Sequence, residues 1–476
     1  MGDDTHGLNL QREVGIIVAV SFIGGTMIGS GIFISPQYVL STIGSCCEIS
    51  LTPPPPSFII WSCCGLIAML GGLCYAELGT IIPESGAEYI YILRTAGKVV
   101  AFMFVFSFIM VMRPASGTGV ALIFAEYAVA PFYSGCTPPQ MAVKFVAAVS
   151  ILVLAIIKCL SVRLATGIQV VTMAVKVVAL VVIILGGIVM LFQGRTENFE
   201  DSFEGTNAGI SSIGIAFYQG LWSYDGWNTL NCLTEEVKHP EVNLPRAVLI
   251  AISLVTTLYL LVNVSYLAVM TPKELVSSSA VAVTWGNKVL GSWGWVMSVA
   301  AALSAFGSLN GTFFSGGRVC FVAAREGHMP DILSMAHVHR LTPSPALIFT
   351  TIISLVVLIP GDFQSIVNYF SFSAWFFYAI VLSGLIYLKI KKKDLPRSYK
   401  VPIVIPILVL IAAIFLVLAP IIDNPQIEYL YVALFILSGI VVYIPFIHYK
   451  LCPRVLDKLT VFLQLFLEVA PADKNL

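Results

Sequence analysis

Charge is scarce in this 476-residue chain, at 11% Asp, Glu, Lys and Arg, less than half the roughly 25% of a soluble domain. Acidic and basic residues balance at 26 each, so the chain lacks the basic surface that nucleic acid requires. Also missing are a nucleotide-binding loop, a metal-ligand spacing and a nucleophile with its base. Those absences argue against an enzyme and against a resident cofactor or metal. A cleavable signal peptide is not expected either, because the first apolar run continues well past signal length.

Apolar residues are abundant. They make up 58% of the chain, and the mean hydropathy is +0.92. Runs of spanning length fall at 14–40, 57–82, 99–130, 141–159, 164–192, 208–234, 246–271, 290–317, 344–360, 363–388, 401–422 and 427–449. The expected fold is therefore an all-α polytopic membrane protein with twelve transmembrane helices. With both termini in the cytoplasm, 20 of the 26 lysines and arginines fall in inside segments and 4 in outside loops. That asymmetry obeys the positive-inside rule. Arg113 and Lys176 remain within helices.

Two apolar runs are interrupted. Residues 21–36 read SFIGGTMIGSGIFISP, broken at Gly29-Ser30-Gly31, and residues 217–228 read FYQGLWSYDGWN. Lipid cannot satisfy the backbone groups such breaks free, so they persist where a ligand, ion or water-filled cavity takes them up. The other reading of Gly29-Ser30-Gly31 is a close helix-packing patch. The breaks open the first and sixth helices, as expected for five helices (14–192) followed by an inverted five (208–388), with the site between them. Helices eleven and twelve (401–449), a short N-terminus (1–13) and a tail (450–476) lie outside that repeat.

GSGIFISP, CYAELG at 74–79, SGAEY at 85–89, GLWSYDGWN at 220–228, NLPRA at 243–247, AREGHMP at 324–330 and VNYFSFSAW at 367–375 together resemble the amino acid–polyamine–organocation transporters. Within them the chain is similar to the light chains of heteromeric amino acid transporters, most of all to the b(0,+) type. The resemblance implies a LeuT-like fold and sodium-independent exchange, with cationic amino acids and cystine entering against neutral ones. It also implies a disulfide-linked type II glycoprotein heavy chain of the rBAT kind and an apical plasma membrane. A neutral- or aromatic-preferring carrier of the same family, or a non-transporting amino acid sensor, are the alternatives.

An amino acid needs donors for its carboxylate and acceptors for its ammonium. Half-helix N-termini supply the first and unwound carbonyls the second. Gly29, Ser30 and Gly31 are assigned to the carboxylate. By resemblance the carbonyls of Met27, Trp222 and Asp225 meet the ammonium, and the Trp222 ring covers the substrate as a gate, unless it is a packing residue. Asp225 is a costly mid-membrane carboxylate that would favour cationic side chains, or else belongs to a structural ion pair. Lys176 stands where sodium-coupled relatives hold an ion, or snorkels to a membrane surface. Asn228 either bonds substrate or caps the next half-helix.

Of ten cysteines, only Cys46, Cys47 and Cys136 are expected outside. Cys136 sits in APFYSGCTPP, where the family carries its heavy-chain cysteine; pairing with Cys46 or Cys47 is the alternative. The sequons at Asn263 and Asn310 fall within helices. KIKKKDLPRSYK reads as a solvated inner loop, His328 as structural or gating, and 451–470 as an amphipathic inner-face helix. The proline-rich stretch CCEISLTPPPPS departs from the family.

Overall fold

The computed structural model describes residues 14–43, 56–200, 209–340, 342, 344–422, 424–451 and 453–471. The N-terminus before Val14, the loop with Cys46 and Cys47, and Cys452 lie outside the described residues. The helices are α1 (Ile16–Met27), α2 (Ser35–Ile43), α3 (Pro56–Ile81), α4 (Glu88–Thr95), α5 (Lys98–Ser107), α6 (Arg113–Val129), α7 (Gln140–Leu160), α8 (Val162–Phe192), α9 (Glu197–Glu200) and α10 (Ile210–Ser223). They continue as α11 (Pro240–Val269), α12 (Pro272–Ser277), α13 (Val281–Val289), α14 (Trp295–Arg325), α15 (Ser344–Leu358), α16 (Phe363–Lys391), α17 (Val404–Ile422), α18 (Ile427–Tyr443) and α19 (Pro453–Leu467).

Nine helical stretches among the described residues are long and apolar enough to span a membrane, α5 and α6 counting as one. The broken segments α1–α2 and α10 with its following 3-10 turn, and the shorter α15, fall on the remaining three apolar runs. Twelve apolar segments thus stand where hydropathy places them. Boundaries shift where a helix has a polar end. α11 begins at Pro240 because proline at the first turn and Glu241 behind it favour a helix start, whereas hydropathy registers only its apolar body.

The all-α expectation misses one small ribbon. Strand β1 (Met335–His337) pairs antiparallel with β2 (Val469–Pro471), Ala336 opposite Ala470. The tail forms α19, as its periodicity suggests, but Glu468 takes a left-handed φ of 51° that ends the helix and turns the chain into β2.

Small residues set the closest seams. A Cβ on Gly65 would lie 2.5 Å from Thr256 Oγ1, and one on Gly72 would lie 2.7 Å from Val248 Cγ1, so the close approach of α3 to α11 at these points requires glycine. At one end of α3 the carboxylate of Glu77, with no exposed surface, lies 2.8 Å from Lys389 Nζ and 3.9 Å from Arg397 Nε. It also accepts the Val401 N–H at 3.0 Å. This buried charge cluster joins α3 to α16 and its following loop, on the face where the basic loops gather.

Candidate functional site

The two breaks meet at the centre of the helices. α1 stops at Met27, a 3-10 turn covers Gly31–Phe33, and α2 resumes at Ser35. α10 stops at Ser223, and Gly226 then takes a φ of 111°, open to glycine. The breaks touch directly, since a Cβ on Gly31 would lie 2.6 Å from Ser223 Oγ and one on Gly226 would lie 2.7 Å from Thr26 Cγ2.

Between them lies a cavity of about 400 Å³, within the range of small-ligand sites. Met27, Gly29, Ser30, Gly31, Lys176, Trp222, Asp225 and Asn228 all line it. The eight cavity residues singled out from sequence, far apart in the chain, therefore share one space. The cavity reaches Lys158 near the end of α7 and Ala165 near the start of α8, on the basic face. Toward the opposite face it ends at Trp222, whose ring stands edge-on to Phe363 and Phe370 at centroid distances of 6.0 and 5.3 Å.

Backbone geometry refines the roles of the break residues. The Gly29 N–H donates to the Met27 carbonyl at 2.8 Å, which leaves Ser30 and Gly31 as the donors of the first break with no backbone acceptor among the described residues. The Met27 carbonyl also lies 2.5 Å from the Tyr259 hydroxyl, and the Trp222 carbonyl accepts the Asp225 N–H at 3.3 Å. Among the described residues, no backbone N–H donates to the Asp225 carbonyl. It is thus the most available of the three acceptors assigned to an ammonium.

Lys176 does not snorkel to a membrane surface: it is buried and lines the cavity. Along α8, Met173 packs at 3.2 Å from a Cβ built on Gly25 of α1, and Thr172 sits 2.2 Å from one built on Gly307 of α14. Lys176, one turn further along α8, lines the cavity beside α1 and α14. Asn228 donates to the Glu88 carboxylate, a contact that neither substrate binding nor helix capping anticipates. Cys136 is exposed in the turn before α7, at the end opposite Lys158.

Sequence reasoning missed three polar groups. Tyr259 on α11 places its hydroxyl 2.5 Å from the Met27 carbonyl and 2.7 Å from that of Ser223, joining the two breaks; nothing in TLYLLVNV sets this tyrosine apart. Glu88 starts α4 and lines the cavity. Burial pushes its carboxyl up to about 7, Asp225 adds to that rise, and the Asn228 hydrogen bond and Arg113 oppose it. Asn228 thus helps decide how much of this charge is present near neutral pH. Arg113 follows a π-helical turn over Phe108–Met112, the kind of helix irregularity that gathers at functional sites. Pro114 has no N–H to continue the regular ladder there.

A helical membrane protein with a largely apolar cavity that carries a few charged and polar groups between two broken spans is built as a carrier of small amphiphilic molecules. The chain belongs to the amino acid permease family, whose profile matches residues 15–446. It is 48% identical to human b(0,+)-type amino acid transporter 1 over 469 residues, covering 98% of this chain and 95% of that one. It is 39% identical to the human cystine/glutamate transporter, covering 98% and 93%. Human large neutral amino acids transporter small subunit 2 is also 39% identical, covering 95% and 84%.

Proposed function

We propose that the chain is a sodium-independent amino acid exchanger of the plasma membrane, apical in epithelia, taking up cationic amino acids and cystine against neutral ones. The observation that carries this reading is Asp225, a half-buried carboxylate in the cavity wall beside the donors of the first break. It supplies a partner of opposite sign for a cationic side chain. The name of the b(0,+)-type relatives agrees with that preference, and that of the cystine/glutamate relatives with cystine as a substrate. A fixed ammonium at the α1–α8–α14 junction takes the place of a transported cation, so no sodium is required.

The basic face is assigned to the cytoplasm with both termini, which makes the present conformation open to the inside and closed outside by Trp222. The segments 14–192 and 208–388 act as two inverted five-helix units around the breaks. In support, each unit begins with its broken span.

The test is an uptake panel of labelled arginine, cystine, leucine, tyrosine and glutamate, repeated with choline replacing sodium. Uptake should be indifferent to the replacement. Asp225→Asn and Asp225→Gly should lower arginine relative to leucine roughly ten-fold, the effect of about 1.4 kcal/mol of differential binding. Equal loss of both substrates would make Asp225 structural. Faster loading against internal substrate separates an exchanger from a sensor. The proximity of Arg113 to Asp225 favours a second reading, a carrier preferring neutral substrates, which the same panel reveals as leucine uptake exceeding arginine.

A glycoprotein heavy chain of the rBAT type is the proposed partner, linked through Cys136, whose thiol is exposed on the face assigned to the exterior. Cys136→Ser should abolish the high-mass band on a non-reducing gel while leaving the light chain made. A persisting band would move the link to another external cysteine.

A further inference from the structure

Arg113 is a charged group of the cavity that the proposed exchange leaves unused. Its guanidinium lies over the Phe108 ring, 4.9 Å from the centroid, and among the described residues its buried Nε has no hydrogen-bond partner. Two carboxylates stand within its electrostatic reach, Asp225 more strongly than Glu88. Among the described residues it forms an ion pair with neither within 4.0 Å. Glu88 is held by Asn228, and Asp225 follows the end of α10. One cation is therefore poised on an aromatic face within the reach of two carboxyl groups.

We propose that Arg113 is an internal counter-ion that pairs with Asp225 when a neutral substrate is bound and moves to Glu88 when the substrate brings its own cation. This rests on the reading of Asp225 as the partner of a cationic side chain. In a low-dielectric site an uncompensated carboxylate is strongly disfavoured. With leucine bound, Asp225 needs Arg113, and Glu88 keeps its hydrogen bond from Asn228. With arginine bound, the substrate guanidinium takes Asp225, and Arg113 would meet repulsion from it unless a second anion received it. Glu88 is that anion. The Phe108 face gives the guanidinium a resting place between its partners. Arg113 and Glu88 thereby set how broad the substrate range is, as positioning residues acting through Asp225.

The test is the ratio of labelled arginine to leucine uptake by the full chain in proteoliposomes, normalised to incorporated protein. Arg113→Gln should raise the ratio about ten-fold by losing leucine, and Glu88→Gln should lower it about ten-fold by losing arginine. Arg113→Lys, keeping the charge, should hold the ratio within about two-fold on the same scale. A general packing defect would depress both substrates together and cannot produce opposite shifts. Shifts of the same sign, or no shift in either glutamine variant, overturn the proposal. Should Arg113→Gln fail to incorporate, Arg113→Lys and Glu88→Gln decide alone, and any result other than a held and a lowered ratio overturns it. Asp225→Asn in the same assay separates the two readings. An unchanged ratio there defeats the charge-selective site itself, whereas a lowered ratio beside silent Arg113 and Glu88 variants defeats only the counter-ion.

Discussion

Gly31→Ala is expected to lower exchange by on the order of 100-fold while leaving the protein folded in the membrane. A Cβ at residue 31 would lie 2.6 Å from Ser223 Oγ and 2.8 Å from Ser223 Cα. A rotamer change relieves the first contact but not the second, which is to backbone. The two breaks must separate, and the Ser30 and Gly31 N–H groups move away from the carboxylate they are proposed to hold. Losing two charge-assisted hydrogen bonds at about 1.5 kcal/mol each corresponds to that factor. The measurement is uptake normalised to surface-labelled protein. Near-normal exchange in this variant would mean that the breaks need not touch.

Glu77→Gln is expected to destabilise the fold by about 3–5 kcal/mol, the usual cost of removing one partner from a buried charge cluster. Glu77 has no exposed surface, and the side chains of Lys389 and Arg397 are only 9% and 8% exposed. Removing the anion leaves two buried cations without a counter-charge, even though the glutamine amide oxygen can still accept the Val401 N–H. Thermal unfolding of detergent-solubilised protein reads this directly. Glu77→Leu combined with Lys389→Met should recover part of the loss, because paired replacement by apolar residues avoids the orphaned charge. A Glu77→Gln protein melting with the unmodified one would show that the cluster does not anchor α3 to α16.

What the sequence displayed and what it hid divide along a physical line. Spans and breaks are legible because lipid imposes one requirement on every residue in it: apolar side chains and satisfied backbone. A departure such as Gly29-Ser30-Gly31 or YDGWN then stands out against its own neighbours. Asp225 and Lys176 were visible for the same reason, as charges in an apolar run. Glu88 was not, because SGAEY lies in a polar connection where a carboxylate is unremarked. Only the docking of α4 beside the second break carries it to Asn228. Tyr259 was hidden in the opposite way, by looking like one more residue of an apolar helix. Where Lys176 points, and that the Gly29 N–H turns back on Met27, are settled by packing among α1, α8 and α14 that no linear spacing encodes. The β1–β2 ribbon depends on pairing between segments from distant parts of the chain.

Asp225, Glu88 and Arg113 are attached to the protein; only the substrate's own charge changes sides. In the exchange proposed above, one cationic amino acid entering against one neutral one moves a single elementary charge per cycle. A membrane potential of 100 mV, negative inside, contributes about 2.3 kcal/mol to that transfer, enough for a roughly fifty-fold accumulation ratio. A site that accepts both kinds of side chain thus becomes a voltage-driven concentrator of one of them, with neither ion gradient nor nucleotide hydrolysis. Depolarising the membrane would remove that drive and leave neutral-for-neutral exchange untouched.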